Sequence, residues 1–236
     1  MRVLAIVHQP DAGPGVFADA VRRQGWELQE WPITEGTPHP DAMANFQAVM
    51  VFGGAVNADQ EAAHPWLRNE KQLLAALLAR GMPLLGVCLG AQMLAEAAGA
   101  PARRAGAPEI GWVEVQVTNA GATDPLIGPL APRLSAFEWH SYEFPLPAGA
   151  VALARSATCL QAFRVGERAW GIQFHAEVTA ADARHWIEDY QTDADAVRIG
   201  LDPDALRAET DRSIEAWNAV GRGICERFLD AARAQA

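Results

Sequence analysis

The chain has 236 residues, half of them hydrophobic, so it is long enough for a substantial core and unlike a disordered composition. It carries 19 basic and 29 acidic residues, which give a formal net charge of −10 at pH 7. This charge argues against nucleic acid or an anionic membrane surface as a partner. The only lysine, Lys71, is followed by Gln72, so the chain has no G-x-x-x-x-G-K-[ST] phosphate-binding loop.

The first part of the chain predicts alternating strands and helices. Continuous apolar runs indicate buried strands, and apolar residues at helical spacing that end near a glycine indicate helices. In chain order we predict strands at 3–8, 26–31, 46–52 and 84–87, with helices at 16–24, 66–80 and from Leu89 onward. This alternation is typical of a parallel, doubly wound α/β sheet. Such sheets bind ligands beyond the carboxyl ends of their strands.

After Gly99 the chain alternates apolar and polar residues, which indicates an added antiparallel β section. We predict strands at 111–118, 151–154, 160–165 and 169–174, the last two joined by a hairpin turn at Gly166-Glu167. Helices are predicted at 180–190 and from about Asp202, which is a plausible N-cap with Pro203 at the first helical position. One face of the last helix is expected to be buried: Leu206, Thr210, Ser213, Ile214, Trp217, Val220, Ile224 and Phe228.

The cysteine pattern and the hydropathy bear on compartment and cofactors. Cys88, Cys159 and Cys225 are far apart and odd in number, so they predict neither a disulfide framework nor a C-x-x-C metal or redox site. The apolar run at the start is too short for a signal peptide, and no stretch approaches a membrane span. We therefore expect a cytoplasmic protein with no metal and no other cofactor.

Cys88 lies between a predicted strand and a predicted helix, in Gly86-Val87-Cys88-Leu89-Gly90. A single residue between a strand and a helix, flanked by glycines, is the pattern of a nucleophile elbow. A thiol beside a helix N-terminus is also biased towards the thiolate. A buried structural cysteine is the alternative, because G-x-C-x-G is short enough to occur by chance.

A nucleophilic cysteine needs a base, and the base needs a group that holds its tautomer. Of the six histidines, His140 and His175 are the candidates, since the others lie at a strand end, in loops or on a helix. His175 is followed two residues later by Glu177, at the end of a predicted strand, where both side chains project to the same side. His175 and Glu177 are therefore predicted as base and orienting carboxylate. Two unrelated polar residues at a hairpin end are the alternative.

Attack on a carbonyl also needs N–H donors for the oxyanion. The N–H of Leu89, directly after the candidate nucleophile, is the first donor of an elbow. A second is expected from Gly53-Gly54, which follows a predicted strand and leaves its backbone uncovered, although a tight turn is the other interpretation of this pair. Together these residues describe acyl transfer through a thioester, with His175 protonating the leaving amine.

Two motifs of this chain, Gly86-Val87-Cys88-Leu89-Gly90-Ala91-Gln92 and Gln173-Phe174-His175-Ala176-Glu177, resemble those of the class I glutamine amidotransferases with a Cys-His-Glu triad. The resemblance is greatest to the amidotransferase portion of GMP synthase and its stand-alone relatives. It implies a flavodoxin-like, doubly wound, mostly parallel sheet with an antiparallel section over residues 1–190. Residues 191–236 are left as a C-terminal helical extension, packed on this domain or on a partner.

The resemblance also implies residue roles: Cys88 as nucleophile, His175 as base, Glu177 as orienter, and the Gly54 and Leu89 amides at the oxyanion. It implies that a γ-glutamyl substrate is held by Gly53, Gln92, Ser141 and Tyr142, and that His140 is a neighbour of the pocket rather than the base. The family usually has proline between its histidine and glutamate, where this chain has Ala176. That difference changes the turn without removing a reactive group.

The implied activity is cysteine-dependent hydrolysis of a small-molecule amide, glutamine or another γ-glutamyl compound, without a cofactor. Three functions stay open. The chain could be a glutaminase subunit that passes ammonia to a synthetase, a γ-glutamyl peptide hydrolase that acts without a partner, or a scaffold protein that kept the fold and lost the activity. A homodimer formed through the apolar face of the last helix is a further arrangement that the sequence allows.

Overall fold

A computed structural model describes residues 1–234 and contains, within that range, one nine-stranded sheet. The strands are β1 (Arg2–Val7), β2 (Glu27–Pro32), β3 (Ala48–Val51), β4 (Leu84–Val87), β5 (Arg103–Val117), β6 (Arg133–Glu143), β7 (Val151–Arg155), β8 (Leu160–Val165) and β9 (Ala169–Ile172). Their order across the sheet is β2-β1-β3-β4-β9-β8-β7-β5-β6.

The sheet has a parallel half and an antiparallel half that meet at β9. The parallel pairs are β1 with β2, β1 with β3, β3 with β4, and β4 with β9. From β9 outward, β8, β7, β5 and β6 all pair antiparallel with their neighbours. The predicted doubly wound sheet with an added antiparallel section is therefore confirmed.

Helices cover both faces of the parallel half. They are α1 (Gly15–Arg23), α2 (Trp66–Ala79), α3 (Leu89–Ala97), α4 (Ala180–Glu188), α5 (Ala194–Arg198) and α6 (Pro203–Arg233). Side chains of α1, α4 and α6 belong to one hydrophobic cluster, and those of α2 and α3 to the other. Along β1, Val3 and Ala5 face the first cluster while Leu4 and Ile6 face the second. A strand that is buried on both faces needs a continuous apolar run. The buried parallel strands could therefore be predicted from the sequence.

The long helix α6 begins where its sequence predicts. The Asp202 side chain accepts hydrogen bonds from the backbone N–H groups of Asp204 and Ala205, each at 3.0 Å, and Pro203 occupies the first helical position. Most of the predicted apolar face is buried, although Ser213 and Val220 are only partly covered.

Within the described residues, no helix combines the length and the apolar character needed to cross a bilayer.

Several sequence predictions need correction. The strand β6 was not predicted, because its middle buries Ala136, Phe137 and the polar Glu138 in succession and so hides any alternation. The strand β5 begins at Arg103 instead of at residue 111. The predicted strand 169–174 ends at Ile172, so His175 and Glu177 lie in an irregular segment that precedes α4 and not at a strand end. Other element ends differ by one or two residues.

Candidate active site

Cys88 occupies a strained turn between β4 and α3. Its φ of 52° makes it the one non-glycine residue with a positive φ among residues 1–234, a conformation that non-glycine residues adopt at an energetic cost and that clusters at functional sites. The turn is tight: a Cβ on Gly90 would lie 2.1 Å from the Val51 carbonyl oxygen, and one on Gly86 would lie 2.5 Å from the Gly90 carbonyl oxygen. The two glycines that marked the elbow in the sequence are thus required by close backbone contact.

The structure brings His175 and Glu177 to this cysteine. The Nδ1 of His175 donates a hydrogen bond to the Glu177 carboxylate at 2.7 Å, and both side chains are buried. The Cys88 sulfur lies within hydrogen-bonding reach of the same ring. Because Nδ1 is engaged with Glu177, Nε2 is left to face the sulfur. The three residues predicted as nucleophile, base and orienter are therefore in contact.

The contact between His175 and Glu177 does not come from strand geometry, in contrast to the sequence prediction. The segment bends, and backbone and indole contacts hold it in place. The His175 N–H donates to the Phe137 carbonyl at 2.9 Å, and the Trp217 indole N–H donates to the His175 carbonyl at 2.8 Å. The Trp186 ring packs edge to face with the imidazole, with centroids 4.8 Å apart. The histidine is thus oriented by β6, α4 and α6 together.

The charges around His175 favour its protonated form. Burial alone lowers the pKa of an imidazole, but the Glu177 carboxylate and the Cys88 sulfur beside it raise the pKa of His175 well above its ordinary value. A protonated imidazole held by a carboxylate can give its proton to a group beside it, which is what a general acid needs to do.

Gly53 and Gly54 follow β3 and lie against the elbow. A Cβ on Gly53 would be 3.1 Å from Cε1 of His175 and 3.7 Å from Cβ of Cys88, and one on Gly54 would be 3.3 Å from a Leu89 methyl group. The Gly53-Gly54 loop therefore lies beside the side chains of Cys88, Leu89 and His175.

A buried ion pair underlies this glycine loop. His8 Nδ1 lies 3.0 Å from the Phe52 carbonyl oxygen and 3.1 Å from that of Gly53, while its Nε2 lies 3.1 Å from the Glu70 carboxylate. Burial works against a charged ring, yet the Glu70 carboxylate and these carbonyls raise the pKa of His8. No sequence pattern marks this pair, because Glu70 is distant in the chain and lies in an ordinary helical stretch.

A cavity of about 380 Å³ opens in front of Cys88 and His175. Of the predicted substrate-binding residues, Gln92, Ser141 and Tyr142 line it, whereas Gly53 is not among the lining residues. The Gln92 side-chain amide donates to the Tyr142 carbonyl at 3.2 Å, so the helix after the elbow and β6 are joined at the cavity wall.

The cavity also has lining residues that were not predicted from the sequence, and several of them come from the segment after residue 190. Asp193 and Asp195, at the start of α5, line it together with Arg104. Asp193 accepts a hydrogen bond from the Trp139 indole at 2.9 Å. Hydrogen bonds from Ser141 and Arg198 and the charge of Arg104 lower the pKa of Asp195 to about 2. No local pattern marks these residues, because their role depends on where α5 packs.

This fold and this site are those of a known class of protein. Residues 15–191 match the family model "Glutamine amidotransferase class-I", and the chain belongs to that family. It is 30% identical over 202 residues to the putative glutamine amidotransferase-like protein YfeJ of Salmonella typhimurium, an alignment that covers 83% of this chain and 84% of that protein. It is 37% identical over 112 residues to one subunit of a glutamine-hydrolysing GMP synthase from Natronomonas pharaonis, covering 46% of this chain and 59% of that subunit.

Comparison with solved structures extends the match to the C-terminal segment. A glutamine amidotransferase from Thermotoga maritima superposes with a TM-score of 0.86 at 31% identity, and the match covers 98% of both chains. The helical extension, for which the sequence indicated no counterpart, therefore has one in that structure. The chain spans about a third of a full-length GMP synthase such as that of Aeromonas hydrophila, to which it is 28% identical over 181 residues and of which it covers 32%.

Proposed function

We propose that this chain hydrolyses the γ-amide of glutamine or of another γ-glutamyl compound through a glutamyl thioester on Cys88. The observation that carries the proposal is that Cys88 and His175 line one cavity beyond the parallel strands, with the buried Glu177 carboxylate hydrogen-bonded to His175. Family membership supports the same chemistry.

In the first half of the proposed reaction, the Cys88 thiolate attacks the γ-carbonyl carbon. The electron pair moves to the carbonyl oxygen, which accepts hydrogen bonds from the N–H groups of Gly54 and Leu89. When the tetrahedral intermediate collapses, the C–N bond breaks and protonated His175 gives its proton to the leaving nitrogen. Ammonia or an amine departs, and the glutamyl group remains as a thioester.

In the second half, neutral His175 takes a proton from water as the water oxygen attacks the thioester carbon. The C–S bond breaks, glutamate leaves, and the thiolate–imidazolium pair is restored. Glu177 keeps Nδ1 of His175 protonated throughout, so Nε2 is always the nitrogen that exchanges protons. The Gln92 side chain and the backbone of Ser141 and Tyr142 are proposed to hold the amino-acid end of the substrate.

The relatives' names support glutamine as the substrate, since several are glutamine-hydrolysing GMP synthases or single subunits of them. A synthetase partner that receives the ammonia, and a cytoplasmic location, belong to the same proposal. The stand-alone γ-glutamyl peptide hydrolase differs only in its leaving group. A scaffold protein without catalytic activity is disfavoured, because Cys88, His175 and Glu177 are all present.

Covalent labelling tests the nucleophile. A glutamine-mimicking diazoketone should modify Cys88 stoichiometrically, and Cys88→Ala should abolish labelling. Cys159 and Cys225 should not react, because burial raises the pKa of both thiols and keeps them protonated. Cys159→Ser serves as the matched control and should label like the natural chain. Modification at either of the other two cysteines would end the assignment.

The substrate is tested with the purified chain alone and a panel of glutamine and γ-glutamyl peptides, each assayed for released amine or ammonia. Slow hydrolysis of glutamine that is stimulated by a synthetase supports the proposal of a synthetase-coupled glutaminase. Fast release of an amine from a γ-glutamyl peptide without any partner supports the stand-alone hydrolase. A chain that labels at Cys88 yet releases nothing from any member of the panel would contradict both.

A further inference from the structure

A buried pair of side chains, His8 and Glu70, lies beneath the Gly53-Gly54 loop. The two side chains are 2% and 0% exposed, and neither residue lines the cavity, whereas Gly54 does. The packing is close, since a Cβ on Gly54 would lie 2.9 Å from Cβ of His8. The proposed reaction assigns no step to this pair, although it adjoins the backbone that is proposed to bind the oxyanion.

The hydrogen bonds of the His8 ring assign its protons. Nδ1 lies 3.0 Å from the Phe52 carbonyl oxygen and 3.1 Å from that of Gly53, and Nε2 lies 3.1 Å and 3.3 Å from the two oxygens of Glu70. Carbonyl and carboxylate oxygens accept hydrogen bonds, so both ring nitrogens carry hydrogen and the ring is an imidazolium. The same contacts raise the pKa of His8, although burial opposes them.

The bonds to the carbonyls fix the direction of the N–H groups on the same peptides. In a planar trans peptide the C=O and the N–H point in opposite directions, and the bond between Gly53 and Gly54 is trans. Because His8 donates to the Gly53 carbonyl, the Gly54 N–H is directed away from His8. The next N–H, that of Ala55, donates to the Gln9 side chain at 2.8 Å.

The Gly54 N–H is left for a ligand. It has no backbone acceptor among residues 1–234, and Gly54 lines the cavity that also contains Cys88. Gly53 lies against the elbow, where a Cβ on it would be 3.7 Å from Cβ of Cys88. The peptide between Gly53 and Gly54 therefore has its carbonyl on the buried pair, while its N–H belongs to a residue of the cavity wall.

Glycine does not by itself hold a peptide in one orientation, because it has no side chain to restrict its dihedral angles. The restraint here comes from the His8 ring, which is itself held from two directions. Glu70 binds its Nε2, and the Trp66 indole stacks on its face, with centroids 5.1 Å and planes 22° apart. A charged donor on the Gly53 carbonyl also polarises the amide, which makes the Gly54 N–H a stronger donor.

We propose that His8, held as an imidazolium by Glu70, is a positioning residue that orients the Gly54 N–H for the oxyanion. The inference rests on the proposed function, in which that N–H binds the oxygen of the tetrahedral intermediate. His8 touches neither the substrate nor the reacting atoms. It acts through the peptide between Gly53 and Gly54, and it keeps its proton throughout.

Two substitutions of His8 separate the two ends of its ring. Both are made together with Glu70→Gln, which avoids a buried carboxylate without a partner. In His8→Asn the amide nitrogen is as many bonds from the backbone as Nδ1, so the donor to the carbonyls is kept. In His8→Gln the amide nitrogen is as far out as Nε2, so the contact with residue 70 is kept and the donor to the carbonyls is lost.

Turnover of glutamine, or of the best γ-glutamyl compound, should follow the donor to the carbonyls. Relative to Glu70→Gln alone, kcat should stay within about threefold when His8→Asn is added. It should fall about 10- to 100-fold when His8→Gln is added, which is less than the roughly 10²- to 10³-fold cost of losing an oxyanion donor outright. KM should change little, because the oxyanion forms only after the substrate has bound.

Alkylation of Cys88 by iodoacetamide is the second readout. The sulfur displaces iodide from a tetrahedral carbon, so no oxyanion forms, and the rate should be equal in all of these variants. His39→Gln, at an exposed position outside the site, is the matched control and should leave both kcat and the alkylation rate unchanged.

The order of the two variants decides the proposal. A purely structural role for the pair predicts that His8→Gln, which keeps the contact with residue 70, is the better enzyme. That order, equal kcat in both variants, or an alkylation rate that falls together with kcat would overturn the positioning role. A natural chain that hydrolyses no member of the panel would instead overturn the proposed function, and the inference with it.

Histidine ring NMR on the unaltered chain covers the case in which the variants do not fold. The His8 ring should be doubly protonated at pH 7, with both nitrogens showing N–H shifts. A neutral ring at that pH would contradict the proposal without recourse to any substitution.

Discussion

The two central residues of the candidate active site, Cys88 and His175, each depend on their immediate surroundings. Cys88 has a positive φ that turns it out of β4 before α3 begins. His175 is buried between a carboxylate and a sulfur, which together outweigh the desolvation of its charge. In both residues an unfavourable local state, backbone strain in one and buried charge in the other, is maintained by the surrounding packing. Such states are characteristic of sites that do chemistry.

A substitution at Glu177 provides the clearest test of a single residue's role in the candidate site. In Glu177→Gln the neutral amide no longer fixes the Nδ1 tautomer or stabilises the imidazolium. We expect glutamine turnover to fall by about 10²- to 10⁴-fold. The fold should be retained, since the two side chains have nearly the same volume. Steady-state kinetics together with far-ultraviolet circular dichroism measure both quantities.

Glu188→Gln, at an exposed position near the end of α4, is the matched control and should leave turnover unchanged. Equal turnover in Glu177→Gln and the natural chain would remove the orienting role.

Among the elements, α6 packs directly on the segment that carries His175, the candidate base. Trp217 donates to the His175 carbonyl, and the next residue, Asn218, donates to the Val178 carbonyl at 2.7 Å. Where α6 crosses this segment, a Cβ on Gly221 would lie 1.9 Å from the Ala176 carbonyl oxygen. One turn of the helix therefore packs directly on the backbone of the His175 segment.

Gly221→Ala tests this crossing. The added methyl group must push α6 or the Ala176 backbone away, so we expect a loss of about 1–3 kcal/mol in the free energy of unfolding. Displacement of His175 should also lower turnover in the fraction that is folded. Urea unfolding and an amide-hydrolysis assay give the two values.

Gly223→Ala is the matched control on the same helix. Its new methyl group would meet only the end of the flexible Arg227 side chain, at 3.0 Å. Because alanine favours helix more than glycine does, stability should stay the same or rise by up to about 1 kcal/mol. Similar losses in both variants would mean that the close contact at Ala176 is not the cause.

For the molecule as a whole, the segment after residue 190 completes both the core and the cavity. Trp217 and Phe228 of α6 lie in the same hydrophobic cluster as Phe17 of α1, while Asp193 and Asp195 line the cavity. We propose that residues 191–234 fold as one unit with the rest of the chain, although the family model ends at residue 191.

Truncation after Gln191 tests that proposal. It would expose the apolar surface of α1 and α4 that α6 now covers, and we expect the shortened chain to aggregate or to melt well below the full chain. Size-exclusion chromatography and thermal unfolding measure this, and they also report whether the full chain is a monomer or a dimer. A soluble, fully stable monomer of residues 1–191 would show that the extension is dispensable.

Sequence reasoning identified the features that depend on a few adjacent residues. The buried strands β1, β3 and β4, the glycine-flanked elbow at Cys88 and the Asp202-Pro203 helix start are all local patterns with local causes. It failed on β6, whose buried Glu138 breaks the expected alternation. It also placed His175 and Glu177 on a strand, although contacts with β6 and α6 shape that segment.

By itself, then, the sequence determined the layered α/β architecture, the identity of the candidate nucleophile and the pairing of His175 with Glu177. Only the tertiary structure decided that the imidazole reaches the sulfur, that His8 and His140 are buried beside carboxylates, and that the start of α5 lines the cavity. The physical reason is the distance along the chain over which each effect acts. Backbone preferences and apolar periodicity act over a few residues, whereas burial and charge pairing are properties of segments that meet only after the chain has folded.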